Sequence, residues 1–319
     1  LPIKGFGGIS SGPDPLRQLH KDIKDILNKR IGCIIKSIDI LDIMNLIGKC
    51  VVSGNVRRSA EIALGDLDDK EFIKCKDPDL FREELLNHRW ASNNCVFAKK
   101  NADYEKLIEL IKKNGEPSVF FIENARKYGR MGETIKDCKI GGTNPCGEIG
   151  LESYELCNLV ETIPVNHESI EEYLETLELA YLYAKFVSLK NTHWNITNAV
   201  ILKNRRLGIS QTGISEAIVK FGRTNLLRMC DKGYNYIRKI DDEYSKTLCV
   251  QESIKVTTIK PSGTVSILAG VSPGIHFPHS KYYIRRVTID KGADLIPILR
   301  KANYTIEESI LSPNSFVVE

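Results

Sequence analysis

An amide, a thiol and a carboxylate occur at alternate positions in one short segment of the chain. Asn144, Cys146 and Glu148 lie in the run GGTNPCGEI, residues 141–149. In an extended segment alternate side chains face the same way, so the three side chains would share one side. A thiol supplies a hydrogen atom, an amide positions a hydroxyl group and a carboxylate accepts a proton. The spacing therefore indicates a chemically useful trio, although a tight loop around a buried cysteine explains it too.

Two further segments have residue types that suit phosphate. Residues 257–265, TTIKPSGTV, offer hydroxyl groups, a glycine and the free backbone donors of a predicted helix start. They lack the Gly-x-x-x-x-Gly-Lys spacing of a Walker loop, and a plain turn is an equal alternative. Residues 54–59 contain the adjacent Arg57 and Arg58, which suit either a solvated charge pair or contacts with phosphate and base. The nearby His276 and His279 fit surface or structural roles better than a chemical one.

Composition limits the classes of protein to which the chain can belong. Its 319 residues are 42% hydrophobic and 27% charged, as in an ordinary globular protein with a large core. A formal charge of +4 is too even to indicate a nucleic-acid or membrane partner. The start at Leu1 has neither an initiator methionine nor a signal-peptide pattern, and no long apolar run occurs, so we expect a piece of a longer protein. The low cysteine content without paired spacing favours the reducing cytoplasm.

The cysteines show no paired spacing. Nine cysteines in a chain of this length are too few for a disulfide scaffold, and no Cys-x-x-Cys or close Cys-His pair predicts a zinc site. We therefore expect no metal site and mostly free, buried thiols. This expectation of burial covers Cys33, Cys50, Cys75, Cys95, Cys138, Cys230 and Cys249.

Helical and strand patterns alternate along the chain, which favours an α/β architecture. Apolar spacing and capping residues predict helices at 16–27 and 40–47 lying against a sheet, a helix from Asn101 to Gly115, a strand at 118–122, a helix opened by the capping box of Ser169 and Glu172, a helix from Asp231 to about Thr247, and a strand at 255–259. No Pro/Gly/Ser-rich linker separates two domains, so we expect one continuous α/β body.

Several motifs, in the same order along the chain, resemble segments of ribonucleotide reductases. The run NPCGEI at 144–149, followed eleven residues after Cys146 by Cys157-Asn158-Leu159, resembles the active-site finger loop of the adenosylcobalamin-dependent class. The whole set looks most like the monomeric ribonucleoside-triphosphate reductases. The other matching segments are GFGG at 5–8, GNVRRSAE at 54–61, HRWASNN at 88–94, NRRLGIS at 204–210 and KPSGT at 260–264.

The resemblance implies a role for each residue of the finger loop. Cys146 would become the thiyl radical that removes the 3′ hydrogen of the ribose, and Glu148 would take the proton of the 3′ hydroxyl. Asn144 would hold the substrate hydroxyls. Cys157 would belong to the cysteine pair that delivers two electrons as a disulfide forms, with its partner upstream of Leu1.

The resemblance also implies two nucleotide-binding loops. The substrate phosphates would be held by Pro261, Ser262, Gly263 and Thr264. The identity of a bound deoxynucleotide effector would be relayed by Asn55, Val56, Arg57, Arg58 and Ser59. Cys95 follows an Asn-Asn pair as the family's upstream reducing cysteine does, but its surrounding segment differs, and we expect a buried strand residue instead.

The fold implied by the resemblance is a ten-stranded α/β barrel with the finger loop through its centre. Residues 1–319 would be the central part of that catalytic barrel domain, without its N-terminal and C-terminal parts. The cofactor would be adenosylcobalamin, with Mg²⁺ accompanying the nucleoside triphosphates. The partners would be a ribonucleoside triphosphate, a deoxynucleotide effector and a thioredoxin-like protein or dithiol.

Two alternatives stay open. One is the same reductase chemistry with a separate metal-containing subunit as the radical source. The other is a nucleotide-binding module without catalysis, against which the joint presence of Asn144, Cys146 and Glu148 argues.

Overall fold

The computed structural model describes residues 10–54, 59–128, 137–310 and 315–319. Its helices are α1 (Asp14–Asn28), α2 (Ser37–Val52), α3 (Lys70–Lys74), α4 (Arg82–Asn87), α5 (Glu105–Asn114), α6 (Ile122–Lys127), α7 (Ile170–Ser188), α8 (Asn195–Asn204), α9 (Ile214–Phe221), α10 (Arg223–Thr247), α11 (Val265–Leu268) and α12 (Leu295–Lys301). Its strands are β1 (Glu61–Asp66), β2 (Ser92–Phe97), β3 (Ser118–Phe120), β4 (Gly142–Thr143), β5 (Gly150–Leu151), β6 (Leu159–Thr162), β7 (Gly208–Gln211), β8 (Val287–Asp290), β9 (Ile306–Glu308) and β10 (Ser315–Val318).

The chain divides into two compact units. The first combines residues 1–119 with 280–319, and the second is Phe120–His279. In the first unit the strands β1, β2 and β3 form one sheet, in which β1 and β2 run parallel. Helix α2 packs on β1, and α1 packs on α2. A separate antiparallel sheet has the strand order β8, β10, β9.

The second unit is built around the parallel pair β6 and β7. Leu159 is opposite Gly208 and Thr162 is opposite Gln211. A Cβ at Gly208 would lie 2.4 Å from the Leu159 side chain, so this close approach of the strands requires glycine. Helices α7 and α10 pack together over the pair, and their apolar faces bury a continuous core. The core includes Tyr173, Leu177, Tyr181, Ala184, Leu207, Ile209, Met229, Ile237, Ile240 and Val256.

A buried ion pair joins the two long helices of the second unit. The Lys185 ammonium in α7 donates to Asp241 Oδ1 in α10 at 2.8 Å, and their side chains are 1% and 0% exposed. Lys185 also donates to the Ser245 and Ser253 hydroxyl groups, at 2.8 and 3.1 Å. The Tyr181 hydroxyl donates to the same Asp241 oxygen at 3.0 Å. Buried charges persist only where such partners satisfy them, so this network fixes how α7 meets α10.

Most of the elements predicted from the sequence are present. The first of the two hydrogen bonds of the capping box is confirmed, because Ser169 Oγ accepts from the Glu172 amide at 3.1 Å. Gly115 ends α5 in the left-handed conformation (φ +83°), as expected. Helix α10 also extends to Thr247 as predicted, although it begins at Arg223, earlier than the sequence suggested.

Three details of the predictions are wrong. Asn101 does not cap α5; it adopts φ +65°, and Asp103 instead accepts from the Glu105 amide at 3.0 Å. Helix α1 packs on α2 and buries none of its own residues, rather than lying against a sheet. The expected strand at 255–259 is reduced to one parallel bridge between Ile209 and Thr257.

The nine cysteines all lie in described residues and form no disulfide, and fewer are buried than expected. Cys75 and Cys95 are buried, and Cys95 lies in β2 as predicted. Cys50 and Cys230 are half-buried. Cys33, Cys138 and Cys249 are exposed, so the expectation of burial is wrong for these three. Within the described residues, no helix combines the length and the apolarity that a membrane span needs.

Replacing Lys185 tests the buried network. Lys185→Met should lower the free energy of unfolding by about 3 kcal/mol, because Asp241 would keep a buried charge without its cation. Lys246→Met is the matched control: its ion pair with Asp242 spans 2.6 Å but is exposed, and its loss should cost under about 1 kcal/mol. Chemical denaturation of the intact protein measures both changes. Equal losses would mean that the buried pair contributes no more than a surface pair.

Candidate active site

The segment with Asn144, Cys146 and Glu148 is the tip of a short hairpin. Strands β4 and β5 pair antiparallel, and the Asn144 amide donates to the Ile149 carbonyl at 3.2 Å to close the loop. The Ile149 amide donates to Asn144 Oδ1 at 3.1 Å. Gly147, with φ +83°, donates to the Asn144 carbonyl at 2.9 Å, which makes a turn. The expected extended segment with alternate side chains on one face is therefore wrong, because the chain reverses at these residues.

The fold nevertheless brings the second predicted cysteine to the hairpin. The Cys157 thiol is hydrogen-bonded by the Asn144 side chain and lies within electrostatic range of Cys146 and Glu148. Both thiols are exposed at this surface. Residues that are eleven positions apart in the sequence thus form one group of two thiols, an amide and a carboxylate.

Both thiols of this group are held in the protonated form. Neighbouring protein atoms exclude part of the bulk water even though the thiols remain accessible, and this desolvation and the Glu148 charge raise the pKa of Cys146. The same two causes raise the pKa of Cys157 to about 11, against the opposing effects of Asn144 and the Lys260 ammonium. A neutral thiol is the form that can give up a hydrogen atom, whereas nucleophilic catalysis would need the thiolate.

The Glu148 carboxylate is poised to accept a hydrogen bond. Both of its oxygens are buried and have no hydrogen-bond partner among the residues that the structure describes. Its main-chain carbonyl accepts from the Thr258 hydroxyl at 2.5 Å, which fixes the backbone next to the tip. A buried acceptor without a partner is costly, so a donor from a bound molecule would be favoured here.

The loop that carries Cys157 is clamped on both sides. Arg206, 2% exposed, pairs with Asp137 at 2.5 Å and with Glu155 at 3.0 Å. On the other side of the cysteine, Asn158 Nδ2 donates to the Ala184 carbonyl in α7 at 2.8 Å. These contacts hold the thiol at the start of β6, which limits its movement relative to the hairpin.

The predicted phosphate loop follows the bridge to β7. The Lys260 amide donates to Ser210 Oγ at 2.8 Å, and Gly263 donates to the Pro261 carbonyl at 2.8 Å. Ser262 is 2% exposed, and its hydroxyl has no partner among the described residues. Thr264 precedes α11, which has only four residues and therefore contributes little dipole.

Part of the predicted effector loop lies outside the described residues. This applies to Asn55, Val56, Arg57 and Arg58, and to the GFGG motif at 5–8. Ser59 is described, and its hydroxyl lies 3.4 Å from a Glu61 oxygen. His276 and His279 are exposed, in keeping with the predicted surface role.

The structure adds residues that the sequence reading did not assign. Glu161, Ser210, Thr258 and the Lys260 side chain all lie within the same region of the second unit. Lys260 acts electrostatically on both thiols and on Glu161. Ser210, Thr258 and Lys260 lie in segments that the sequence already marked, at 204–210 and 257–265, whereas the signal for Glu161 is a carboxylate inside the otherwise strand-like run LVETI at 159–163.

Relatives with known names match almost the whole chain. A protein of Dictyostelium discoideum named as a probable adenosylcobalamin-dependent ribonucleoside-triphosphate reductase is 50% identical over 321 residues, which is 100% of this chain and 42% of the relative. The adenosylcobalamin-dependent ribonucleoside-triphosphate reductase of Euglena gracilis is 44% identical, over 98% of this chain and 43% of the relative. That of Lactobacillus leichmannii is 40% identical, over 99% and 46%. The chain is homologous to the adenosylcobalamin-dependent ribonucleoside-triphosphate reductases along its whole length.

Solved structures agree with this relationship. A crystal structure of a B12-dependent, class II ribonucleotide reductase matches with a TM-score of 0.83 and 37% identity, over 100% of this chain and 48% of that chain. The α subunit of the class Id reductase of Actinobacillus ureae shares the fold alone, with a TM-score of 0.52 and 16% identity over 81% of this chain. No protein-family model matches the sequence. The resemblance to class II reductases is confirmed, and the chain spans less than half the length of the named relatives.

The raised pKa of Cys157 predicts slow alkylation. At pH 8 a thiol of pKa about 11 is ionised to about one part in a thousand, and only the thiolate reacts. The rate at which iodoacetamide labels Cys157 in the intact protein should therefore rise about tenfold per pH unit up to about pH 10. Peptide mass spectrometry measures this rate. The same peptide in urea-unfolded protein should level off near pH 9. A native rate that levels off at that same pH would contradict the protonated thiol.

Proposed function

We propose that this chain carries the catalytic centre of a ribonucleotide reductase that converts ribonucleoside triphosphates to 2′-deoxyribonucleotides by thiyl-radical chemistry. The observation that carries the proposal is the grouping of Cys146, Cys157, Asn144 and Glu148 at one hairpin tip. The homology to the triphosphate reductases supports this choice of substrate.

We also propose that residues 1–319 form the central part of a ten-stranded α/β barrel domain. The β4–β5 hairpin would be the finger loop inside that barrel. The TM-score of 0.83 to a class II reductase supports this proposal.

The first step concerns the hydrogen at the ribose 3′ carbon. The Cys146 thiyl radical takes that hydrogen atom and again becomes a thiol, which leaves a carbon radical on the sugar. Glu148 accepts the proton of the 3′ hydroxyl, since its carboxylate oxygens are buried and without a partner in the described part of the chain. Asn144 has its Oδ1 engaged by Ile149, so its amide nitrogen is the atom left to hold substrate hydroxyls or Cys157.

The second step removes the 2′ hydroxyl. That group takes one proton and leaves as water, and a hydrogen takes its place on the 2′ carbon. Two thiols, of which Cys157 is one, supply the two electrons and two protons and become a disulfide, so each product molecule is balanced by one disulfide and one water. Hydrogen return from Cys146 to the 3′ carbon regenerates the thiyl radical, and Glu148 returns its proton to the 3′ oxygen. A thioredoxin-like protein or a dithiol then reduces the disulfide.

Ser262 and its neighbours would bind the substrate phosphates. The buried, unpartnered Ser262 hydroxyl in the described structure supports this role for Pro261, Ser262, Gly263 and Thr264. Mg²⁺ would bind with the triphosphate group, which carries most of the negative charge of the nucleotide. The loop from Asn55 to Ser59 would respond to a deoxynucleotide effector, as its match to the family motif suggests.

Adenosylcobalamin would supply, when bound, the radical that takes the hydrogen atom from a thiol. Cys146 fits the reacting end of this cofactor: its thiol is exposed at the hairpin tip and is kept protonated. The names of the relatives favour this radical source over a separate metal-containing subunit. A nucleotide-binding module without catalysis would not need two protonated thiols beside an unpartnered carboxylate, which disfavours that alternative.

Substitutions of the two cysteines should give different products. In the full-length protein, Cys157→Ser should still permit attack at the 3′ position, because the hairpin residues remain in place. The sugar intermediate would then lack a reductant and decompose, releasing free base without deoxynucleotide. Cys146→Ser should release no base, because hydrogen abstraction never begins. Chromatography of the products separates these results, with Cys249→Ser as an exposed-cysteine control.

Two outcomes count against the assignments. Sustained dithiol-dependent turnover of Cys157→Ser at the unsubstituted rate would remove its reducing role. Base release or product formation by Cys146→Ser would remove the proposed radical site.

A further inference from the structure

Glu161 is a carboxylate in the middle of β6, next to the predicted phosphate loop. It faces Ser210 of β7 in the parallel register. Desolvation raises the pKa of Glu161, and the neighbouring Glu148 charge adds to this, while Ser210, Lys260 and Ser262 oppose it. Lys260 and Glu148 are the charged groups that face it from the phosphate loop and the hairpin. None of the steps proposed above uses this carboxylate.

One carboxylate oxygen of Glu161 is hydrogen-bonded to the neighbouring strand β7. Its Oε1 accepts from the Ser210 hydroxyl at 3.0 Å, and Ser210 Oγ in turn accepts from the Lys260 amide at 2.8 Å. Ser210 is 0% exposed, and its single hydroxyl proton points to Glu161. The start of the phosphate loop is therefore tied through Ser210 to Glu161.

The other oxygen of Glu161 is near the phosphate loop's buried hydroxyl. Glu161 Oε2 and Ser262 Oγ are both buried and have no hydrogen bond of normal geometry in the described residues. They are close enough that Ser262 lowers the pKa of Glu161. A hydrogen bond between these two groups would satisfy both atoms, which removes two costly buried polar groups.

The position of the proton in this contact decides what Ser262 can bind. A hydroxyl has one proton to donate. If Glu161 is ionised, Ser262 donates to Glu161 and presents only lone pairs elsewhere, which repel an anion. If Glu161 carries a proton on Oε2, that proton is donated to Ser262 Oγ, and the Ser262 hydroxyl donates outward to a phosphate oxygen.

We propose that Glu161 is a positioning residue for nucleotide phosphate: its carboxyl group turns the Ser262 hydroxyl toward the phosphate when a nucleotide binds. This rests on the proposed function, in which Ser262 binds the substrate phosphates. Glu161 takes up one proton from the solvent on binding and returns it on release. Phosphate charge near the site favours the neutral carboxyl, so uptake and binding reinforce each other.

The sign of the pH dependence follows from this proton. Above the pKa of Glu161 in the free protein, binding must consume a proton, so affinity falls as pH rises, by up to about tenfold per pH unit. The triphosphate and the other groups of the site also titrate. Glu161→Gln isolates the contribution of Glu161, because a glutamine amide accepts from Ser210 and donates to Ser262 at every pH.

Calorimetric titration of the full-length protein with CTP tests the proposal, in buffers of different ionisation enthalpy so that bound protons are counted. The unsubstituted protein should take up about one proton more per bound CTP than Glu161→Gln does. Glu161→Gln needs no proton to bind, so at pH 7 it should bind CTP at least as tightly as the unsubstituted protein, and its advantage should grow as pH rises, whereas Glu161→Leu should lose on the order of ten- to a hundredfold. The double variant Glu161→Leu/Ser262→Ala should bind no more weakly than Ser262→Ala alone. Glu168→Gln, at an exposed site, should match the unsubstituted protein.

The failures are distinguishable. If Ser262→Ala binds CTP normally, the phosphate assignment in the proposed function is wrong. If Ser262→Ala binds weakly but Glu161→Gln takes up as many protons as the unsubstituted protein, the phosphate assignment stands and the role of Glu161 is wrong. The glutamine variant keeps the buried hydrogen bonds, so the proton count decides the question even if the leucine variant does not fold.

Discussion

Parallel hydrogen bonding between β6 and β7 sets the position of three parts of the site at once. Cys157 lies just before β6, Ser210 lies within β7, and the bridge from Ile209 to Thr257 leads into the phosphate loop. Glycine at position 208 permits the close approach of the two strands, and the α7–α10 core covers them. A change in this pairing would separate the Cys157 thiol from the hairpin and from the predicted phosphate loop together.

The electrostatics of the site agree with hydrogen-atom chemistry. Desolvation and the Glu148 carboxylate keep Cys146 and Cys157 protonated, although both are accessible. A site for thiolate nucleophiles would do the opposite and place a cation or a helix N-terminus beside the sulfur. Lys260 is the cation near these thiols, yet its effect is smaller than that of burial and of Glu148. The same region also contains Glu161, which has a raised pKa.

Local signals in the sequence predicted local structure well. Ser169 begins α7 and Gly115 ends α5, because caps depend on neighbouring backbone groups. The cap predicted at Asn101 is wrong because α5 begins only at Glu105, four residues later, where Asp103 accepts from the Glu105 amide. The alternating pattern at the hairpin was misread as an extended segment, since Gly147 reverses the chain there. The motif resemblance marked Cys157 as a residue of the same chemistry, and the fold places it beside Asn144.

Contacts between residues far apart in the chain could not be predicted from such local sequence signals. The clamp of Arg206 on Asp137 and Glu155 joins residues far apart in the sequence, with no spacing that marks it. The burial of individual cysteines was mispredicted for a related reason: Cys33, Cys138 and Cys249 lie where the fold leaves them exposed. Burial depends on the packing of distant elements, which residue type indicates only on average.

Electron paramagnetic resonance of the full-length protein tests the central claim most directly. Samples would contain adenosylcobalamin, a ribonucleoside triphosphate and a dithiol, and would be frozen within the first turnovers. If Cys146 forms the radical, the spectrum should show a sulfur-centred radical that depends on the cofactor, narrows when cysteine is deuterated at Cβ, and is absent when Cys146 is replaced by serine. A radical that persists without Cys146, or deoxynucleotide formation that needs a second metal-containing subunit and no cobalamin, would contradict it.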